Sequence, residues 1–147
     1  MRAYSLDNTG RTFSPDDLRA IGVLHWRLSG DAAERDAAID EIKRERGYVT
    51  EDVVALSPET PNLDAICAKF DKEHQHTLDE VRFVLDGEGI FDVRDRDDQW
   101  VRIEVAPSDL IVIPAGKYHR FYLTDKRHIE CKRLFLNHDG WAPLYRV

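Results

Sequence analysis

Within nine residues of the stretch "KEHQHTLDEVRFVLDGEG" (72–89) lie His74, His76, Glu80 and Arg82. Residues two apart on a strand point to the same side, with Cβ atoms ~6–7 Å apart, so His74 and His76 can converge on one ion. Thr77-Leu78-Asp79 can make a bend that returns Glu80 to the same ion. If "EVRFVL" continues as strand, Glu80, Arg82 and Val84 share one face, and Val81, Phe83 and Leu85 share the other. A fourth donor is available in "IVIPAGKYHRFYL", where Pro114-Ala115-Gly116 forms a turn and His119 opens the returning strand. Two imidazoles and a carboxylate are the donor set of non-haem iron centres. With a third imidazole, an octahedral ion keeps two positions for water or a bidentate ligand.

The bland alternative is a closed, four-coordinate structural zinc. Arg82 on the ligand face argues against it, because a cation beside an open metal can bind an anionic ligand whereas beside a closed one it has no evident purpose. Several ionisable groups on the inside of a barrel with no ion would also be costly. His25, His128 and His138 lack such company and read as surface or hydrogen-bonded histidines. Glu73 points opposite His74 on an extended chain, which makes it a support rather than a ligand.

The elements that must position these residues change character near residue 73. Before it the pattern is helical. Ser14-Pro15-Asp16-Asp17 gives a cap, a proline at the first helical position and acidic residues in the first turn. "DAAERDAAIDEIKRERG" (31–47) is rich in helix formers and stops at Gly47, and "NLDAICAKF" (62–70) opens on Asn62 as a cap. After it come short β-branched and aromatic segments separated by turn signals at Asp86-Gly87, 95–98, 107–109, 114–116 and 124–126. This spacing predicts an antiparallel sandwich or barrel. The expected architecture is one mainly β domain spanning 1–147, with a helical part over about 1–72 packed outside a barrel over about 73–147. The charged run "DVRDRDDQW" (92–100) reads as a solvated hairpin tip.

Composition narrows the function classes. The chain has 147 residues, 42% hydrophobic, enough for a core without disulfides. A net charge of −7 argues against nucleic acid and against an anionic membrane surface. The longest apolar run, 110–113, is far too short to span a bilayer, and the N-terminal stretch has no apolar core of a secretory signal. Cys67 and Cys131 form no C-x-x-C pair and read as free, buried thiols in a reducing compartment.

The order His74-x-His76-x-x-x-Glu80, with Gly87 after it, resembles the first cupin motif, and Pro114-x-Gly116-x-x-His119 resembles the second. Ala68 and Ser108 stand where glycines often open the two motifs, and Leu123 where an asparagine often closes the second. The segments "GVLHWRL", "EIKRERGY", "KEHQHTLDEVRFVLDGEGIFDVRDRDDQWVRI", "IPAGKYHRFYL" and "KRLFLNHDGWAPLYR" resemble the acireductone dioxygenases, particularly the eukaryotic branch, from about Gly22 to Arg146. Glu73 and Arg82 are features of that family that most cupins lack.

The resemblance implies a cupin β-barrel (a double-stranded β-helix, or jelly roll) with helices packed outside. It implies one Fe(II) or Ni(II) per chain, held by His74, His76, Glu80 and His119, with Arg82 facing an anionic substrate. It further implies oxidative cleavage of acireductone by O2 in methionine salvage: 4-methylthio-2-oxobutanoate and formate with Fe(II), or 3-methylthiopropanoate, formate and carbon monoxide with Ni(II). A monomer, in the cytoplasm with the nucleus as a second location, is also implied. The methylthio tail needs apolar walls, for which Phe83, Ile90, Phe91, Phe121, Phe135 and Trp141 are candidates. Most of these serve equally as barrel core, and Phe83 and Phe91 can face away from the metal. Two other functions compete: a cupin isomerase acting on a sugar phosphate, which would need several basic residues in the cavity beside Arg82, and a non-catalytic cupin that binds a small molecule.

Overall fold

The structure, a computed structural model, describes residues 1–137 and 143–146. Among these residues, three helices and eleven strands follow in the order β1 (Arg2–Ser5), α1 (Pro15–Ala20), β2 (Leu24–Arg27), α2 (Ala32–Arg46), β3 (Thr50–Leu56), α3 (Leu63–Phe70), β4 (His74–Gln75), β5 (Glu80–Gly87), β6 (Gly89–Arg94), β7 (Trp100–Val105), β8 (Asp109–Ile113), β9 (His119–Leu123), β10 (Ile129–Phe135) and β11 (Leu144–Tyr145). All pairings are antiparallel. One sheet has the order β1-β7-β6-β9-β4-β11, the other β2-β8-β5-β10-β3.

The helices form for the reasons legible in their sequences. Ser14 accepts from Asp17 N at 3.1 Å while the Asp17 carboxylate accepts from Ser14 N at 2.9 Å, a reciprocal cap ahead of Pro15. Asp31 caps α2 through Glu34 N at 2.9 Å, and Gly47 ends it in the left-handed region at φ 79°. Asn62 sits at the start of α3 as expected, but at φ 59° and without a side-chain cap bond.

The first 72 residues are less helical than expected. They also supply β1, β2 and β3, which pair with β7, β8 and β10 of the barrel. These strands are short or lie on sheet edges. The burial of β3 runs intermediate, exposed, exposed, exposed, intermediate, exposed, intermediate, so it carries no buried alternation to announce it.

Two layers of apolar side chains fix the barrel. Between the sheets lie Phe91, Val93, Ile103 and Val105 from one side and Val84, Ile111, Ile113 and Cys131 from the other. On the outer face of the second sheet, Val81, Phe83, Leu110, Val112 and Leu134 pack with Ile39 and Ile42 of α2. The parity expected for β5 therefore holds: Val84 faces into the barrel, and Val81 and Phe83 face the helix.

The charged run at 92–100 is solvated only at its tip. Asp95 Oδ1 accepts from Asp97 N and Gln99 N, both at 2.9 Å, and closes the turn. Asp92 is fully buried within β6 and takes Arg102 Nε at 2.8 Å and Arg120 Nε at 2.8 Å. Of the two free thiols, Cys131 is buried and Cys67 is partly exposed.

Candidate metal centre

The site is built where the shortest strand meets β9. Strand β4 has two residues, and its one register pair with β9 is His74 opposite His119. This brings their ring centroids to 4.5 Å, with His76 at 4.9 Å from His74 and 5.2 Å from His119. One nitrogen from each of the three rings lies within 4.8 Å of the others. Glu80, at the start of β5, enters from the opposite sheet. Its Oε2 is 3.7 Å from His76 Nε2 and 2.5 Å from His119 Nε2. All four side chains are buried.

The orientation of the rings is set by backbone carbonyls. His74 Nδ1 lies 2.6 Å from Lys72 O, and His119 Nδ1 lies 2.8 Å from Lys117 O. A carbonyl can only accept, so each Nδ1 carries the proton and each Nε2 presents a lone pair to the interior. Burial pushes the His74 imidazole towards its neutral form. For His119 burial acts the same way, but the Glu80 carboxylate outweighs it and raises the ring's pKa. Glu80 itself is driven up by burial, yet Arg82 and then His119 prevail and hold it well below the carboxylate range. Its Oε1 is 3.0 Å from Arg82 Nη2.

The bend that returns Glu80 has an anchor that the spacing of the ligands gave no reason to single out. Asp79 Oδ1 accepts from Ala115 N at 3.1 Å, in the turn that precedes His119. Its Oδ2 accepts from Tyr48 Oη at 3.0 Å and from Arg46 Nη2 at 3.2 Å. Gly116 N donates to His76 O at 2.9 Å, so the two motifs hold each other's backbone. Burial pushes the Tyr48 phenol up to about 12, which keeps it a proton donor to Asp79.

This constellation fits a divalent metal ion. Glu80 Oε2 and His119 Nε2 are buried and, despite their proximity, neither has a hydrogen bond of acceptable geometry among the described residues. Two such atoms, one anionic, facing each other beside two further imidazoles, are costly without an ion and natural with one.

Arg82 is 8% exposed and donates to Glu80 and, through Nη1, to Val81 O at 3.0 Å. It therefore steadies the carboxylate as well as facing the space beside it. That space is a cavity of about 240 Å³, reached by His74, Glu80 and Arg82 and walled by Val54, Leu56, Ile66, Phe70, Phe91 and Phe121. Of the expected walls, Phe91 and Phe121 line it, their rings 4.9 Å apart. Phe91 thus faces inward, because the parity of β6 puts Gly89, Phe91 and Val93 on the barrel side. Phe83 belongs to the outer layer against α2. Ile90 and Phe135 are not among the lining residues, and Trp141 falls outside the described residues.

Val54 and Leu56 of β3 and Ile66 and Phe70 of α3 come from the supposedly external N-terminal part. A second cation, Arg133, also lines the cavity, with its guanidinium on Asp52 at 2.7 and 2.5 Å. His25 and His128 lie apart from the cluster. His25 bonds the buried Asp109 at 2.8 Å, and His128 bonds the exposed Asp86 at 3.0 Å. His138 is outside the described residues. Glu73 is no ligand, since its carboxylate takes Arg94 and Arg146.

Two facing antiparallel sheets enclosing a buried cluster of three histidines and a glutamate define a metal-binding barrel of the cupin type. The family model described as ARD/ARD' matches residues 5–143, and the chain belongs to that family. It is 45% identical over 146 residues to the acireductone dioxygenase of Branchiostoma floridae, covering 99% of this chain and 81% of that protein. To the acireductone dioxygenase of Homo sapiens it is 40% identical over 138 residues, covering 93% of this chain and 77% of that protein. Among solved structures, an acireductone dioxygenase from Bacillus anthracis with a cadmium ion in its active center superposes with a TM-score of 0.87 at 31% identity, over 99% of this chain and 98% of that one.

Proposed function

We propose that this chain is an acireductone dioxygenase that uses one Fe(II) or Ni(II), held by His74, His76, Glu80 and His119, in methionine salvage. The observation that carries the reading is the buried cluster with its unsatisfied Glu80 Oε2 and His119 Nε2, opening on an apolar cavity beside Arg82. The ion, when bound, supplies a Lewis acid with positions left over for the two oxygens of an enediolate.

The chain's own residues supply the rest. Arg82 keeps Glu80 ionised, so the donor set is complete at neutral pH. The same guanidinium places positive charge on the wall that an anionic enediolate would approach. Phe70, Phe91 and Phe121 exclude water and accept the methylthio-ethyl tail, which fixes which end of the substrate reaches the ligands. No serine or lysine is among the described residues that line the cavity, and its one cysteine, Cys131, has a thiol that burial pushes up to about 11, which keeps it a poor nucleophile. That suits a substrate that is itself the electron-rich partner of O2.

The reaction adds both atoms of O2 to the substrate and cleaves it. With Fe(II) the products are 4-methylthio-2-oxobutanoate and formate; with Ni(II) they are 3-methylthiopropanoate, formate and carbon monoxide. A barrier difference of ~1.4 kcal/mol already gives a tenfold product ratio, so small differences between the ions suffice. The test is oxygen uptake with acireductone on iron-loaded protein, followed by gas chromatography of the headspace after reloading with nickel. Oxygen uptake without carbon monoxide from the iron form, and carbon monoxide from the nickel form, is the expected result. Identical product mixtures at confirmed occupancy would refute the metal dependence, and no oxygen uptake would refute the activity.

A further inference from the structure

Strand β4 carries His74 but has only two residues, too few to hold its own register. Its second edge is closed by β11, with Tyr145 opposite His74 and Leu144 opposite Gln75. Directly after β11, Arg146 makes a set of contacts around the two ligand strands. Its Nη1 donates to Glu73 Oε2 at 2.9 Å and to Asp98 Oδ1 at 2.9 Å, and its Nη2 to Asp98 Oδ2 at 3.0 Å. Arg146 N donates to Glu73 O at 3.1 Å. Its guanidinium lies 4.8 Å from the centroid of the Tyr118 ring.

Glu73 immediately precedes His74, and Tyr118 immediately precedes His119. Arg146 thus touches the chain neighbour of two ligands on adjacent strands. The far side of the same cluster is Arg94, which donates to both oxygens of Glu73 at 2.7 and 3.1 Å and to Asp98 O at 2.8 Å. Arg94 is itself fixed 3.7 Å over the Trp100 ring. The β6–β7 hairpin therefore forms the rigid base against which Arg146 closes.

We propose that Arg146 is a positioning residue for the metal centre: with Glu73, Asp98 and Arg94 it latches β11 onto β4 and holds His74 and His119 at their mutual distance. A ligand pair whose spacing is fixed before the ion arrives binds more tightly and releases more slowly. The latch is an ionic cluster at the surface, with Asp98 58% and Arg146 35% exposed, so salt weakens it. The inference rests on the metal reading of the cluster and not on the acireductone chemistry.

The test is release of cobalt from cobalt(II)-loaded protein into excess chelator, followed by the visible absorption of the ion. Arg146→Ala is expected to release cobalt at least tenfold faster and to shift the ligand-field bands, whereas Arg146→Lys recovers part of both. Release from the parent is expected to accelerate several-fold between low and high salt, and that dependence should vanish in Arg146→Ala. The metal-free forms of parent and Arg146→Ala should melt within about 2 °C of each other, since exposed ion pairs contribute little to global stability. Unchanged release and bands in Arg146→Ala would overturn the proposal, as would a metal-free variant destabilised in proportion. A parent that bound no cobalt would instead overturn the metal reading itself.

Discussion

At the scale of single residues the centre divides into atoms that would bind an ion and atoms that hold those atoms. His74, His76, Glu80 and His119 form the first set, and alanine at any one of them should lower bound metal, measured by elemental analysis after dialysis. His128→Ala should leave it unchanged, because His128 is spent on Asp86 at the surface. Arg82 belongs to both descriptions. It bonds Glu80 Oε1 at 3.0 Å and also faces the cavity. Arg82→Ala should therefore lower turnover by roughly 10²–10³, the usual loss for a preorganised charge in a dry site. It should retain metal at saturation but bind it more weakly, because Glu80 loses the partner that opposes its burial. Arg82→Lys should recover little of the turnover, since an ammonium lacks the planar fork. Turnover equal to the parent in Arg82→Ala would reduce Arg82 to a structural ion-pair residue.

At the scale of elements, two turn positions separate backbone need from side-chain need. Ser108 sits at φ 80°, in the region where a Cβ costs about 1–2 kcal/mol, and it replaces a glycine common in the motif. Ser108→Gly should raise stability by ~1 kcal/mol in denaturant unfolding. Gly87 is the reverse case. At φ 77° a Cβ there would meet His128 O at 2.2 Å, a backbone atom with nowhere to go. Gly87→Ala should cost more than the ~1 kcal/mol of a typical point mutation and disturb the pairing of β5 with β10. Strand β8 opens on Asp109, fully buried and bonded to His25 at 2.8 Å and to Ala106 N at 2.9 Å. Burial would raise its pKa, but these donors and nearby positive charge lower it below the aspartate value. A carboxyl depressed in the folded state binds fewer protons there than in the unfolded chain. Its contribution is present above about pH 4 and is lost as pH falls through the folded value. Asp109→Asn should then lower stability by about 2–4 kcal/mol at neutral pH, with the gap to the parent narrowing in acid. A constant gap from pH 7 to pH 3 would contradict this account.

For the whole molecule, the two apolar layers that join the sheets and α2 include none of the candidate ligands. The layer between the sheets and the layer under α2 are both well buried, and 147 residues suffice for such a core. Removing metal should therefore leave a folded barrel with a lower melting point. The stabilisation should grow with free metal, by about 4 kcal/mol at a thousandfold excess over Kd. Cooperative melting of the metal-free protein, with a midpoint that rises with added metal, is the expected calorimetric result. Loss of the folded state on metal removal would contradict it. In a chain of net charge −7, Arg82 and Arg133 place two guanidinium groups on the cavity wall that an anionic substrate would approach.

The candidate ligand set, the faces of β5, the start of α1 and both ends of α2 are legible in the sequence alone, because each depends on neighbours in the chain. Period two puts His74 and His76 together and separates Val84 from Val81 and Phe83. A proline–alanine–glycine turn delivers His119, and caps are local hydrogen bonds. Tertiary structure decided everything that depends on which strands lie side by side. Only when β3 pairs with β10, and α3 covers the opening, do Val54, Leu56, Ile66 and Phe70 become cavity walls. Only the return of β11 to β4 brings Arg146 to Glu73. The strands β1, β2 and β3 escape a sequence reading because β1 and β2 have only four residues each and β3 carries no buried alternation. The burial of Asp92 is not legible in its charged run because its partners, Arg102 and Arg120, sit on neighbouring strands rather than beside it in the chain. Strand order in a sheet is a non-local property, set by how whole apolar faces are covered, and no window of sequence contains it.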